Sequence, residues 1–284
     1  CKRDPFIDKI ARVRKTRVTI THPSRFSEKI RKILYSVGSF AIHQKKSIQY
    51  DDIIDYKLCI HNRAQIGDPL KIAEQKEIDT TTLVDYVIDC LKRFNKQLTP
   101  EKIEDLCTVI GEILINAEEH STTKYRFSIG YFHEQDDNGK HIGIFRLVIL
   151  NFGRTIYEKF KDPNCPNKAI VEKMTNLSKQ YTKSGFFTSK AFEEESLWTL
   201  YALQEGVTST NQIRGNGSIQ FIESFFNIKG TNTVDDNTRM TIYSGNTRII
   251  FDGTYQIMLK QTGEEKFKVM TFNESGNIED KPDG

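Results

Sequence analysis

Ile110-Gly111-Glu112-Ile113-Leu114-Ile115-Asn116-Ala117-Glu118-Glu119-His120-Ser121 is the stretch whose reading decides the fold. Glu112 and Asn116 stand four residues apart, so on a helix they share one face while Ile113 and Leu114 point toward a core. A carboxylate and an amide oxygen are thereby brought to one place. The carboxylate can orient a water, and the amide oxygen is a hard ligand of the kind that Mg²⁺ takes. By periodicity alone, the same pair reads as the polar face of an amphipathic helix. The start of that helix is marked upstream, where Thr99 can cap, Pro100 fits the first helical position and Glu101 suits the positive first turn. The spacing therefore predicts a helix from Pro100 to about His120.

Outward from this helix, Leu83, Val84, Val87, Ile88 and Leu91 predict an amphipathic helix ending near Asn95. Strands are expected over 125–132 and 141–150, with the polar run 134–139 as the turn between them. The apolar centre of the second strand suits a sheet covered by helices on one face. A long excursion over 152–215 follows, with helices expected over 169–181 and about 189–205. Ser218 to Phe226 reads as a further helix. Met240 to Tyr243 and Thr247 to Phe251 form a hairpin around Ser244-Gly245-Asn246, 255–259 with 267–272 add a second pair, and 273–284 is expected to fray. Nearer the amino terminus, 17–20 resembles a short strand, about 25–35 a helix, and 47–60 alternates too weakly to assign. Residues 1–75 are accordingly read as a small α/β appendage, with a boundary in the charged, threonine-rich stretch 71–82.

The segment from Glu112 to Ser121 resembles the N box of the GHKL superfamily, which includes gyrases, heat-shock chaperone ATPases, mismatch-repair ATPases, histidine kinases and anti-sigma-factor kinases. That resemblance implies two glycine motifs downstream. Leu150-Asn151-Phe152-Gly153-Arg154-Thr155 is similar to the first, with Asn151 where the family has an adenine-binding Asp, Gly153 at the first glycine and Thr155 in place of the second. An Asn oxygen accepts a hydrogen bond from adenine but without the charge assistance of a carboxylate. Arg214-Gly215-Asn216-Gly217-Ser218 is similar to the later glycine box, in which glycines and a helix start surround the phosphates.

The resemblance implies an α/β fold of the α+β two-layer sandwich kind, with a Bergerat-type mixed sheet covered by helices on one face. The ATP-binding domain would occupy 80–275, with a lid over about 152–215 and a flexible tail over 276–284. It implies ATP and Mg²⁺ as ligands: Glu112 would orient water, Asn116 hold Mg²⁺, Asn151 recognise adenine, and Gly153, Gly215 and Gly217 shape the enclosure. Lys183, in the turn Lys183-Ser184-Gly185, and Arg214 would contact phosphate. The apolar residues of the lid helix, Leu197, Trp198 and Leu200 among them, read either as core packing or as part of a closing lid. Hydrolysis, phosphoryl transfer to a partner protein and a noncatalytic regulatory module all remain open, as does homodimerisation.

Composition narrows the remaining classes. Forty-one Lys and Arg against 38 Asp and Glu leave a charge of +3 on 284 residues, too small an excess to indicate nucleic-acid binding. Five cysteines without paired short spacing support neither a zinc knuckle nor a disulfide framework, which suits a reducing, cytoplasmic setting. No apolar run approaches the roughly 20 residues that span a bilayer. The chain starts at Cys1 with charged residues close behind, so an upstream segment is expected. Lys183-Ser184 lacks the spaced glycines of a P-loop, and the six histidines are scattered apart from His120 in the N-box stretch.

Overall fold

The computed structural model describes residues 23–38, 41, 47–62, 68–119, 121–182, 193–207, 209, 217–229, 234, 238–262, 265–278 and 280–283. Helices are α1 (Glu28–Ser36), α2 (Pro69–Lys92), α3 (Pro100–Glu119), α4 (Ile156–Lys161), α5 (Lys168–Tyr181), α6 (Glu194–Ala202) and α7 (Gly217–Lys229). Strands are β1 (Ile53–Asn62), β2 (Ser121–Asp137), β3 (Lys140–Gly153), β4 (Met240–Ser244), β5 (Thr247–Phe251), β6 (Ile257–Thr262) and β7 (Glu265–Met270). The result is a mixed α/β fold in which helices pack against an unclosed sheet. No described helix is long and apolar enough to cross a membrane. The strand expected over 17–20 lies outside the described residues.

Two compact units are present, one of residues 1–72, 85–97 and 124–151, the other of 73–84, 98–123 and 152–284. In the first, the sheet has the order β1-β2-β3, with β1 antiparallel to β2 from Ile53 opposite His133 to Asn62 opposite Tyr125. The 47–60 stretch, whose alternation was too weak to assign, thus supplies a strand, and the expected division at 75–80 is bridged by its ladder. A β-bulge between Tyr56 and Cys59 explains the weakness, because it breaks the two-residue period that alternation depends on. The stretch 71–82, expected as a boundary, is helical within α2.

Aromatic packing and short polar links hold the first unit together. Tyr86 donates to the Ile54 carbonyl at 2.6 Å and its ring meets Tyr56 at 5.3 Å and Phe145 at 5.8 Å. Gly143 lies beneath Phe94 and Phe132, so close that an added Cβ would fall 2.3 Å from the Phe132 ring. His133 is buried and 3.5 Å from Asp52, which also pairs with Lys32 at 3.1 Å. Burial, followed by the nearby Lys29 charge, holds the His133 pKa below the usual imidazole range.

The second unit has two apolar clusters. One joins Leu200, Leu203, Ile219, Ile222, Phe251 and Phe272. The other gathers Phe160, Cys165, Met174, Trp198 and Ala202. α6 belongs to both, with Leu197, Trp198, Thr199, Leu200 and Ala202 all buried. Buried Gln204 extends the first cluster into the β6-β7 hairpin, donating to the Met270 carbonyl and accepting from its N–H, both at 2.9 Å.

The β4-β5 and β6-β7 hairpins are separate two-stranded antiparallel sheets. In the stretch expected to fray, residues 273–278 and 280–283 make local hydrogen bonds. Asn273 is buried and donates to the Asn277 and Asp280 carbonyls, while the Asp283 N–H returns to the Phe272 carbonyl at 2.7 Å. Local side-chain bonds of this kind order a segment without periodic structure.

Gly245 opens the two-residue β4-β5 turn at φ +60°, and a Cβ there would lie 1.9 Å from Glu195 Oε1. That carboxylate accepts the Asn246 N–H at 3.1 Å and its side-chain amide at 3.2 Å, tying α6 to the turn. Gly245→Ala is therefore expected to cost about 1–3 kcal/mol through the left-handed backbone and the displaced carboxylate. A urea midpoint unchanged from wild type would count against it.

Candidate functional site

α3 carries Glu112 and Asn116, both half-buried, one turn apart, while Leu114 between them is fully buried. The apolar positions draw that side of the helix into the second unit, and a Cβ at Gly111 would meet Thr80 of α2 at 3.9 Å, an ordinary contact. α3 packs along α7. At one end Lys102 donates to the Asn227 and Ile228 carbonyls at 2.9 and 3.3 Å, and the Asn227 amide donates to Asp105 at 3.2 Å. Further along, Ile113 lies against the cluster that contains Ile219 and Ile222. The two helices are therefore antiparallel.

The consequence is geometric. Ten residues of helix advance about 15 Å, so the step from Lys102 toward Glu112 matches the step from Asn227 back to Gly217. On that count Glu112 is level with the start of α7 and Asn116 about one turn beyond it, and the unsatisfied N–H groups and dipole at a helix start favour negative charge. Gly217 is the first residue of α7. Arg214, Gly215 and Lys183, together with His120, lie outside the described residues.

Asn151 is half-buried near the carboxyl end of β3, in the first unit, and exposed Gly153 is the last residue of that strand, in the second. Arg154 next to it pairs with Asp162. Thr155, read as a replacement for a glycine, has a definite local task. It is the N-cap of α4, accepting the Glu158 N–H at 3.1 Å while Glu158 accepts the Thr155 N–H at 2.8 Å. The Thr-x-x-Glu spacing of a capping box was legible in the sequence and would have found this role.

Lys102 and Asp105, which set the direction of α3 on α7, carry no sequence signal of their own. They resemble any polar pair on a helix face, and only packing reveals what they touch. The Tyr157 hydroxyl donates to Glu194 at 2.5 Å, with Lys161 paired to the same carboxylate at 3.0 Å. Burial, then the Glu194 bond, pushes the Tyr157 hydroxyl up to about 12. These groups join α4 to α6 and leave the phenol a poor acid near neutrality.

Among the described residues, no group of three or more His, Cys, Asp and Glu could hold a metal ion. A Mg²⁺ ion needs no such cage when phosphate oxygens and waters supply most of its ligands. The Asn116 side chain offers one amide oxygen of that kind. A cavity of about 30 Å³ lined by Leu177, Tyr201, Gln204, Met270 and Asn273 has room for a water, and none of its lining residues belongs to the expected site. Searches with protein-family models, among curated proteins and among solved structures each found no match.

Proposed function

We propose that this chain is a GHKL-type module with a Bergerat-type nucleotide fold that binds ATP with Mg²⁺. The observation that supports the reading is the antiparallel seat of α7 on α3, which brings Glu112 level with the start of a helix that opens on Gly217, two residues after Gly215. In this reading Asn116 holds the metal, Glu112 orients water, and the N–H groups at the start of α7 meet phosphate oxygens. Mg²⁺ there supplies charge neutralisation on the phosphates. Asn151 accepts from the adenine amino group, Gly153 lets the base approach, and Lys183 and Arg214 contact phosphate. Turnover, as hydrolysis or phosphoryl transfer, is coupled to a protein partner or to a second copy of the chain.

A second reading, a noncatalytic regulatory module on the same fold, is favoured by one specific feature. Thr155 is committed to capping α4, so the turn lacks a glycine where the family has its second, and Asn151 lacks the carboxylate charge. Titration with ATP and ADP in Mg²⁺ tests the binding that the first reading requires. Nucleotide at a hundred times its dissociation constant should stabilise the fold by about 2.7 kcal/mol. No shift in unfolding temperature with either nucleotide would remove the first reading.

Asn151 offers a finer test. Asn151→Ala should weaken ATP binding by roughly 1–3 kcal/mol, the cost of a lost buried hydrogen bond, whereas Asn151→Asp should hold or strengthen it. Equal dissociation constants for wild type and both folded variants would sink the adenine assignment.

A further inference from the structure

We propose that Cys59 and His61 form a thiol–imidazole pair on β1 that reacts with low-molecular-weight disulfides, making Cys59 a site of reversible mixed-disulfide formation. The two residues are separated by one position, so their side chains share a face of the strand. The Cys59 sulfur lies 3.0 Å from His61 Nε2. Both side chains are half-buried, so the thiol is sheltered yet reachable, and Cys59 is a thiol outside any disulfide.

The β1-β2 ladder supplies the neighbours of the pair. His61 stands opposite Arg126 in the β1-β2 ladder and Cys59 opposite Ser128, immediately after the bulge that follows Tyr56. Arg126 is buried at 2% exposure, which places a permanent cation on the strand that faces the pair. From the same ladder the Tyr56 hydroxyl meets Ser128 Oγ at 3.4 Å, and Tyr86 of α2 packs on the Tyr56 ring. Asp55 and Lys57, earlier on β1, pair with each other at 4.0 Å. A cysteine next to an imidazole gives up its proton more readily than an isolated one. Cys90 is the contrast, because burial pushes its thiol up to about 11.

The exchange balances without any further reagent. His61 Nε2 takes the Cys59 proton, the thiolate sulfur attacks one sulfur of the small disulfide, and that S–S bond breaks as the Cys59 mixed disulfide forms. The leaving thiolate then takes the proton from His61, so one thiol and one disulfide become one mixed disulfide and one thiol.

Glutathione disulfide is the probe, applied to the whole protein, with acid quenching and mass mapping of each modified cysteine across a pH series. At about pH 6.5, Cys59 should be modified at least ~10-fold faster than half-buried Cys107, and its rate should reach half-maximum below about pH 7.5. His61→Gln should lower the Cys59 rate at that pH about 10-fold and move the midpoint upward by about one unit or more. A wild-type midpoint near the ordinary thiol value of about 8.5 would overturn the proposal. So would a folded His61→Gln protein with the wild-type profile. The wild-type midpoint decides the matter even where the His61 variant fails to fold.

Discussion

With Glu112 replaced by Gln, ATP turnover is expected to fall on the order of 100-fold in kcat at saturating Mg²⁺ and nucleotide, while ATP affinity stays close to wild type. Gln keeps the size and a hydrogen-bonding oxygen but cannot accept the proton of an attacking water. Glu112 is half-buried on α3, so the isosteric change leaves the packing of Leu114 and Ile113 intact. Asn116→Ala, one turn further on, should act differently, by weakening Mg²⁺-dependent nucleotide binding before any effect on chemistry. Steady-state kinetics and ATP titrations on both folded variants separate the two roles. Equal kcat values for wild type and Glu112→Gln would reject the water-orienting role, and a wild-type protein without hydrolysis, even beside its native partner, would favour the regulatory module.

Trp198→Ala is expected to cost about 3–5 kcal/mol of stability, the range for truncating a large buried aromatic. Trp198 is 1% exposed. Its indole N–H donates to Ser178 Oγ at 2.5 Å, the Tyr157 ring meets it edge-on at 5.4 Å, and Lys161 lies 4.6 Å over its face. Removing it opens a cavity among Phe160, Met174 and Ala202 and leaves Ser178 without its donor. Trp198→Phe should lose less, about 1–2 kcal/mol, since it keeps much of the apolar area and forfeits chiefly the hydrogen bond. Urea unfolding followed by circular dichroism is the measurement, because Trp198 is the chain's one tryptophan and its fluorescence disappears with it. A loss below about 1 kcal/mol for the Ala variant would contradict the buried role assigned to α6.

What was legible and what was hidden divides along the range of the interactions. The helix from Pro100 announced itself by a local start signal and a long apolar period, and it ends at Glu119, within a residue of expectation. The β4-β5 hairpin was equally clear, because Ser244-Gly245-Asn246 demands a turn whatever surrounds it. By contrast, β1 was obscured by its bulge, and the local bonds after Phe272 rest on Asn273, Asp280 and Asp283 finding particular carbonyl and N–H groups. Neither feature leaves a period to read.

The candidate site follows the same division. The four-residue spacing of Glu112 and Asn116 and the glycines at 215 and 217 stand in the sequence, since helix geometry alone puts the first two on one face. The level of Glu112 with the start of α7 does not. Tertiary packing decided that, through Lys102 on the carbonyls that end α7 and Ile113 against the cluster to which α7 contributes Ile219 and Ile222, because two helices can align parallel or antiparallel with the same apolar stripes. The sequence by itself determined which elements form and which faces they bury. Only the folded second unit, by pairing end groups more than a hundred residues apart, chose which ends meet.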